Sequence, residues 1–236
     1  YNKFGLFTVG GFYKSMDNID YIGSSIILEQ GSRYRGYSLN SPANVPLSST
    51  VRGIEFDLQG NLRPLKGFVS GFVFGANLTL LKSRTYYPLF EVRNEFIPTP
   101  PFFITTVTDT IREGRIPGQA DIIINGSLGY ERKGFSGRIS CAYQYNALNL
   151  GSAGGGFANA GVGARPEQDS FDEGFLRFDV AVTQKMDKKG RWTVVANLNN
   201  LTDNPERARL QYNNLLQERE FYGFTADLGF VYKFHR

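Results

Sequence analysis

From Tyr222 to Phe234 the side chains alternate: Tyr222, Phe224, Ala226, Leu228, Phe230, Tyr232 and Phe234 share one parity, and Gly223, Thr225, Asp227, Gly229, Val231 and Lys233 the other. A strand repeats every two residues, so one face is apolar and aromatic and the opposite face polar. Thirteen residues is long for a soluble strand, where about 5–6 is usual, and suits a tilted crossing of a bilayer.

Seven other segments carry the same signature, at about residues 3–14, 50–62, 67–83, 119–131, 134–146, 175–185 and 191–202. In the second, Ile54, Phe56 and Leu58 oppose Glu55, Asp57 and Gln59. In the sixth, Leu176, Phe178 and Val180 oppose Arg177 and Asp179. Helical spacing fits none of them well. Cys141 falls between Ile139 and Tyr143 on an apolar parity, and reads as a packing residue. As the single cysteine it can form no internal disulfide.

The connections add topology. Residues 63–66, 132–133 and 186–190 are short, polar turns, whereas 15–49, 84–118, 146–174 and 203–219 are long. Short and long alternate along the chain. Soluble domains rarely hold several loops beyond about 15 residues; transmembrane barrels have short turns on one side of the membrane and long loops on the other. The 27 glycines, 20 phenylalanines and 13 tyrosines suit strands against lipid. Tyr86, Tyr87, Tyr143, Tyr145 and Tyr222 are expected near one rim, and Phe68, Phe135, Trp192, Tyr232 and Phe234 near the other, as two aromatic girdles. The expected fold is therefore all-β: an antiparallel transmembrane β-barrel of which about eight strands are present.

Most catalytic chemistry lacks its residues. The only histidine is His235, which argues against histidine-based triads and histidine metal clusters, and no enzyme is expected. The glycine-rich run 151–156 lacks the lysine and helix of a phosphate loop and reads as a flexible connection. A net charge of +4 without a basic run gives no nucleic-acid signal. No cofactor or metal is implied. Charges on the polar parity, among them Glu55, Asp57, Asp121, Arg138, Arg177, Asp179, Lys185, Asp227 and Lys233, read as a solvated or ion-paired barrel wall. Ligand contacts are looked for in the loops, at Tyr34, Arg35, Tyr86, Tyr87, Phe102, Phe103 and Arg165, although no spacing among them identifies a ligand.

Several ordered segments resemble a known family. Val51-Arg52-Gly53-Ile54-Glu55-Phe56-Asp57 is similar to a strand start found late in the barrels of TonB-dependent receptors of Bacteroidetes-type bacteria. Gly114-Arg115-Ile116-Pro117-Gly118-Gln119 resembles their return from a long loop. Asn197-Leu198-Asn199-Asn200-Leu201-Thr202-Asp203 resembles the end of the penultimate hairpin, and residues 221–234 the closing strand. Such receptors close 22 strands around a plug, whereas eight strands and no plug are read here, and His235-Arg236 follow the terminal aromatic.

The resemblance implies that residues 1–236 form the C-terminal portion of a 22-stranded barrel, an open curved sheet if isolated, in the bacterial outer membrane. The absence of an export leader before Tyr1 fits a start inside a longer polypeptide. The implied function is energy-coupled uptake of a nutrient such as a siderophore, glycan or peptide. The implied partners are outer-membrane lipid, the TonB coupling complex acting through the plug, the nutrient, and a surface lipoprotein. The alternative is a complete eight-stranded outer-membrane barrel serving as anchor or adhesin.

Overall fold

A computed structural model of the chain describes residues 4–27, 29–44, 47–148 and 169–234. Its described residues form an all-β, antiparallel structure whose main sheet runs β1-β4-β5-β7-β8-β10-β11-β14. These strands are β1 (Gly5–Met16), β4 (Ser49–Asn61), β5 (Phe72–Phe96), β7 (Ile122–Arg132), β8 (Phe135–Tyr145), β10 (Phe175–Lys185), β11 (Trp192–Asn199) and β14 (Thr225–Tyr232). Each falls within or overlaps one of the amphipathic segments read from the sequence, and each lies next to the preceding one. The closing strand is shorter than expected, since β14 has eight residues and leaves Tyr222, Phe224 and Phe234 outside it, where the chain no longer pairs with β11. β1 and β14 end the order and do not pair with each other, so the sheet is open, not a closed barrel.

Register places the two faces. Val9 pairs with Phe56, Phe56 with Leu78, Leu78 with Ile124, Ile124 with Tyr143, and Tyr143 with Leu176. Phe74, Leu128, Ile139, Val180, Leu198 and Ala226 form another such row. One face is thus apolar across the sheet. The opposite face carries Asp57–Asn77–Asn125–Ala142–Arg177 in a row. The strict period of two is what keeps these rows unmixed, because slipping one strand by a residue would exchange its faces.

The turns at one end are tight for local reasons. Lys133 and Gly134 both have positive φ, 51° and 83°, the combination that a two-residue hairpin turn demands. Between β10 and β11, Gly190 supplies a φ of 66°, and the Asp187 carboxylate accepts the Trp192 N–H at 2.9 Å. Burial and that hydrogen bond act on Asp187 in opposite senses. The bond dominates and holds the carboxyl below the ordinary aspartate value.

At the other end, the connections read as long loops contain strands of their own. β2 (Asp20–Ile26) and β3 (Ser38–Asn44) make a hairpin. β5 does not stop near Ser83 but runs on to Phe96, and β6 (Phe103–Gly114) pairs with this extension from Thr85↔Gly114 to Phe96↔Phe103. A third sheet has the order β13-β12-β9, with β9 (Ser170–Asp172), β12 (Glu206–Leu210) and β13 (Leu216–Glu220). Among the described residues the largest fully buried side chains, Tyr87, Leu148, Thr85, Ser49 and Ser170, all lie at this end.

Candidate functional site

Two regions concentrate polar groups. The first is the polar face itself, where a concavity of about 1110 Å³ is lined by Asp57, Asn77, Asn125, Ser127, Arg138 and Arg177 among others. The sheet therefore curves toward its polar side. Arg177 Nε donates to Asp179 Oδ2 at 3.1 Å, and the other Asp179 oxygen accepts the Asn200 N–H at 2.9 Å. This surface is mixed in charge, rich in amide and hydroxyl groups, and can hydrogen-bond water or a polar solute along its length. Of the polar-parity charges expected on a wall, Asp57, Arg138, Arg177 and Asp179 line this concavity.

The second is a set of clamps where the outer hairpins meet the sheet. Arg112, near the end of β6, grips Asp169 through both guanidinium amines, at 2.7 and 3.1 Å, with the two side chains only 10% and 8% exposed. Arg115, in the connection to β7, donates to Asp121 Oδ1 at 2.6 Å and to the Asn146 carbonyl at 2.8 Å. Asn146 returns a bond to the other Asp121 oxygen at 2.6 Å, and the Arg115 guanidinium sits 5.2 Å from the Phe171 ring centre. Glu173 accepts from Arg209 and pairs with Arg207 at 3.5 Å. Ser49 and Thr85 share a buried hydroxyl bond of 2.7 Å. The buried Arg112–Asp169 pair fixes one geometry, since any other arrangement would leave a charge desolvated, and the half-buried Arg115 and Glu173 pairs add hydrogen bonds around it. Their chemical capacity is positioning: they hold the β5–β6 hairpin and the β13-β12-β9 sheet on the rim.

The loop residues singled out in the sequence lie in different parts of this region. Tyr34 and Arg35 are in the turn between β2 and β3, where Tyr34 meets Tyr37 edge to face at 6.2 Å. Phe102 and Phe103 are exposed at the tip of the β5–β6 hairpin, and Phe103 packs on Phe96 at 5.5 Å. Tyr86 is at the hairpin's base beside Arg84. Tyr87 corrects the expectation on two counts. Its side chain is 0% exposed and its hydroxyl donates to the Arg115 carbonyl, so it is neither a girdle ring nor a surface open to ligand. Arg165, the run 151–156 and His235 lie outside the described residues.

Sequence reading missed Arg112, Arg115 and their carboxylates as a unit. The single hint was the Gly-Arg-Ile-Pro-Gly-Gln connection, a stiff stretch carrying a cation. Tyr222, also expected at the rim, donates to Glu220 at 2.5 Å and to Glu206 at 3.3 Å. Bonding to these carboxylates favours the neutral hydroxyl and raises its pKa above that of an ordinary tyrosine.

Aromatic side chains cluster at the turn end. Phe68, Phe72 and Tyr130 pack together at 4.7–5.7 Å, and Trp192, Tyr232 and Phe234 form a chain of contacts at 4.5 and 4.7 Å. The fold and these two regions define the class: an open, single-layer antiparallel sheet with one apolar face, one polar face and a clamped crown of hairpins. No family model, curated protein or solved structure matches the chain.

Proposed function

We propose that the chain is wall and outer loops of an outer-membrane β-barrel, working as part of a TonB-dependent nutrient receptor. One observation carries the reading. Among the described residues the apolar face runs across all eight main strands with no second layer over it, and the long connections leave the sheet at the same end. Leu228 and Phe230 are 70% and 72% exposed, and Phe7, Val9, Leu128 and Ile139 also stand open. A soluble protein normally covers such a face with a second layer.

The dimensions suit a bilayer. From Phe135 to Tyr145, ten residue steps give roughly 33 Å along the strand, or about 25 Å across a membrane at the tilt of about 40° usual for such strands. Charges on the apolar parity fall at its ends: Arg52 and Lys82 beside the hairpins, Arg132 beside the turns. The polar concave face would line the lumen. With β1 and β14 both open, further strands would complete the wall, as the family resemblance implies. In this reading the hairpins bind a scarce nutrient outside the cell, and a plug contributed by another part of the polypeptide is moved by the energised inner-membrane complex to let it through. No covalent step is involved.

The test is to delete the gene in the source organism and measure uptake of ferric siderophores, glycans and peptides with and without an uncoupler, alongside the intact mass of the polypeptide in outer membranes. Loss of one energy-dependent uptake, and a mass several-fold above 26.4 kDa, are the expected results. Recovery of the polypeptide from the soluble fraction would sink the membrane assignment. A membrane polypeptide of 26.4 kDa with every uptake intact would favour the anchor or adhesin instead.

A further inference from the structure

On the apolar face, immediately beyond the last apolar residues toward the hairpins, Arg52 of β4 lies directly opposite Lys82 of β5. Like charges facing each other across two strands repel, and the pair is uncompensated: among the described residues neither is in an ion pair. Both side chains are exposed. They border a cavity of about 650 Å³ that also takes in Tyr13, Thr50, Arg84 and Tyr86. Of the other cations on this cavity, Arg84 is paired with Glu113 at 2.5 Å and Arg115 with Asp121 at 2.6 Å, which leaves Arg52 and Lys82 as the ones open to an anion.

The geometry points to a binding site for the phosphate of a membrane lipid headgroup. Two residues along each strand from Arg52 and Lys82, on the same face, stand Ile54 and Leu80, themselves paired and exposed, followed by Phe56 and Leu78. A phosphorylated amphiphile would set its anionic group between the guanidinium and the ammonium, accept a further bond from the Thr50 hydroxyl, and lay its chains down the Ile54–Leu80 and Phe56–Leu78 rows. A free phosphate would use the cations alone and gain nothing from those rows, so the lipid is the source the site fits. This rests on the apolar face meeting lipid.

The test uses the full-length natural polypeptide purified in a neutral detergent and titrated with phosphatidylglycerol, followed by native mass spectrometry, with inorganic phosphate and an uncharged diacylglycerol as parallel probes. A basic side chain near anionic headgroups strengthens binding about fivefold, so the Arg52→Gln/Lys82→Gln double variant should bind the phospholipid about 30-fold more weakly. The Lys188→Gln/Lys189→Gln double variant, which removes the same charge from the turn between β10 and β11, should bind as wild type. Equal phospholipid binding by the Arg52/Lys82 variant would overturn the site while leaving the membrane reading untouched. Inorganic phosphate bound as tightly as the lipid would overturn the lipid assignment. A wild-type polypeptide that stays soluble without detergent and takes up no lipid would overturn both, and that result is distinct from the first two.

Discussion

Replacing Asp169 by Asn should loosen the crown of hairpins while leaving the main sheet intact. Asp169 and Arg112 are 8% and 10% exposed and share two hydrogen bonds of 2.7 and 3.1 Å. Asn keeps the shape and one acceptor but removes the charge, so the Arg112 guanidinium stays buried without its counter-ion. Breaking a buried pair from one side costs about 3–5 kcal/mol. The low end of that range suits a substitution that retains an acceptor, and about 3 kcal/mol corresponds to roughly 150-fold in an opening equilibrium. Hydrogen exchange reads this directly, because the Gln211 amide donates to the Asp169 carbonyl at 2.9 Å and the Leu210 strand pairs with Ser170. Exchange in β9 and β12 should accelerate by about two orders of magnitude, with β8 and β10 unchanged. The double variant Arg112→Met/Asp169→Leu should recover most of the protection, since apolar residues of similar volume replace buried pairs at little cost. If Asp169→Asn changes β9 and β12 exchange by less than about fivefold, or the double variant is as loose as the single, the pair is not what fastens the crown.

Three other outcomes are expected. Leu128→Arg, in the middle of the apolar face, should destabilise folding into phosphatidylcholine vesicles by about 2–4 kcal/mol, whereas Ser127→Arg on the polar face should be close to neutral; equal effects would remove the distinction between lipid and lumen sides. A Cβ at Gly114 would come within 2.6 Å of the buried Tyr87 ring, whereas Gly10 has open space around it. Gly114→Val should therefore cost about 1–3 kcal/mol in a denaturant titration and Gly10→Ala little, with equal losses speaking against Tyr87 as a packed anchor. Asp187 is held below the ordinary carboxylate range by its bond from the Trp192 N–H, so its contribution is complete above the unfolded aspartate value of about 4 and is lost as pH falls through the lower folded value. Exchange of the Trp192 amide, corrected for its intrinsic rate, should show this loss on acidification, and Asp187→Asn should abolish that dependence.

Much of the main sheet is legible in the chain because its signal is local. Alternation at residues 50–62 or 175–185 needs no knowledge of neighbours to assign a strand and its faces, and Cys141 takes its place in the Gly126–Cys141–Phe178 row by parity alone. The outer strands lack that signal. Glu206-Arg-Ala-Arg-Leu offers only Ala208 and Leu210 as apolar residues and Leu216-Gln-Glu-Arg-Glu only Leu216, too short a pattern to read as an apolar stripe, and Glu206 even faces Glu220. Backbone hydrogen bonds to distant partners, and not an apolar stripe, define them as strands. The extension of β5 to Phe96 depends in the same way on β6 arriving alongside it.

The sequence by itself determined which residues alternate, where the short turns fall and which side chains share a face, because each of these follows from a two-residue period acting within a few residues. Only the tertiary structure decided that the long connections form strands of their own, that Tyr87 is buried, and that Arg112 meets a carboxylate 57 positions away. Those outcomes depend on strand register and on which hairpin packs over which rim, and no local pattern encodes either.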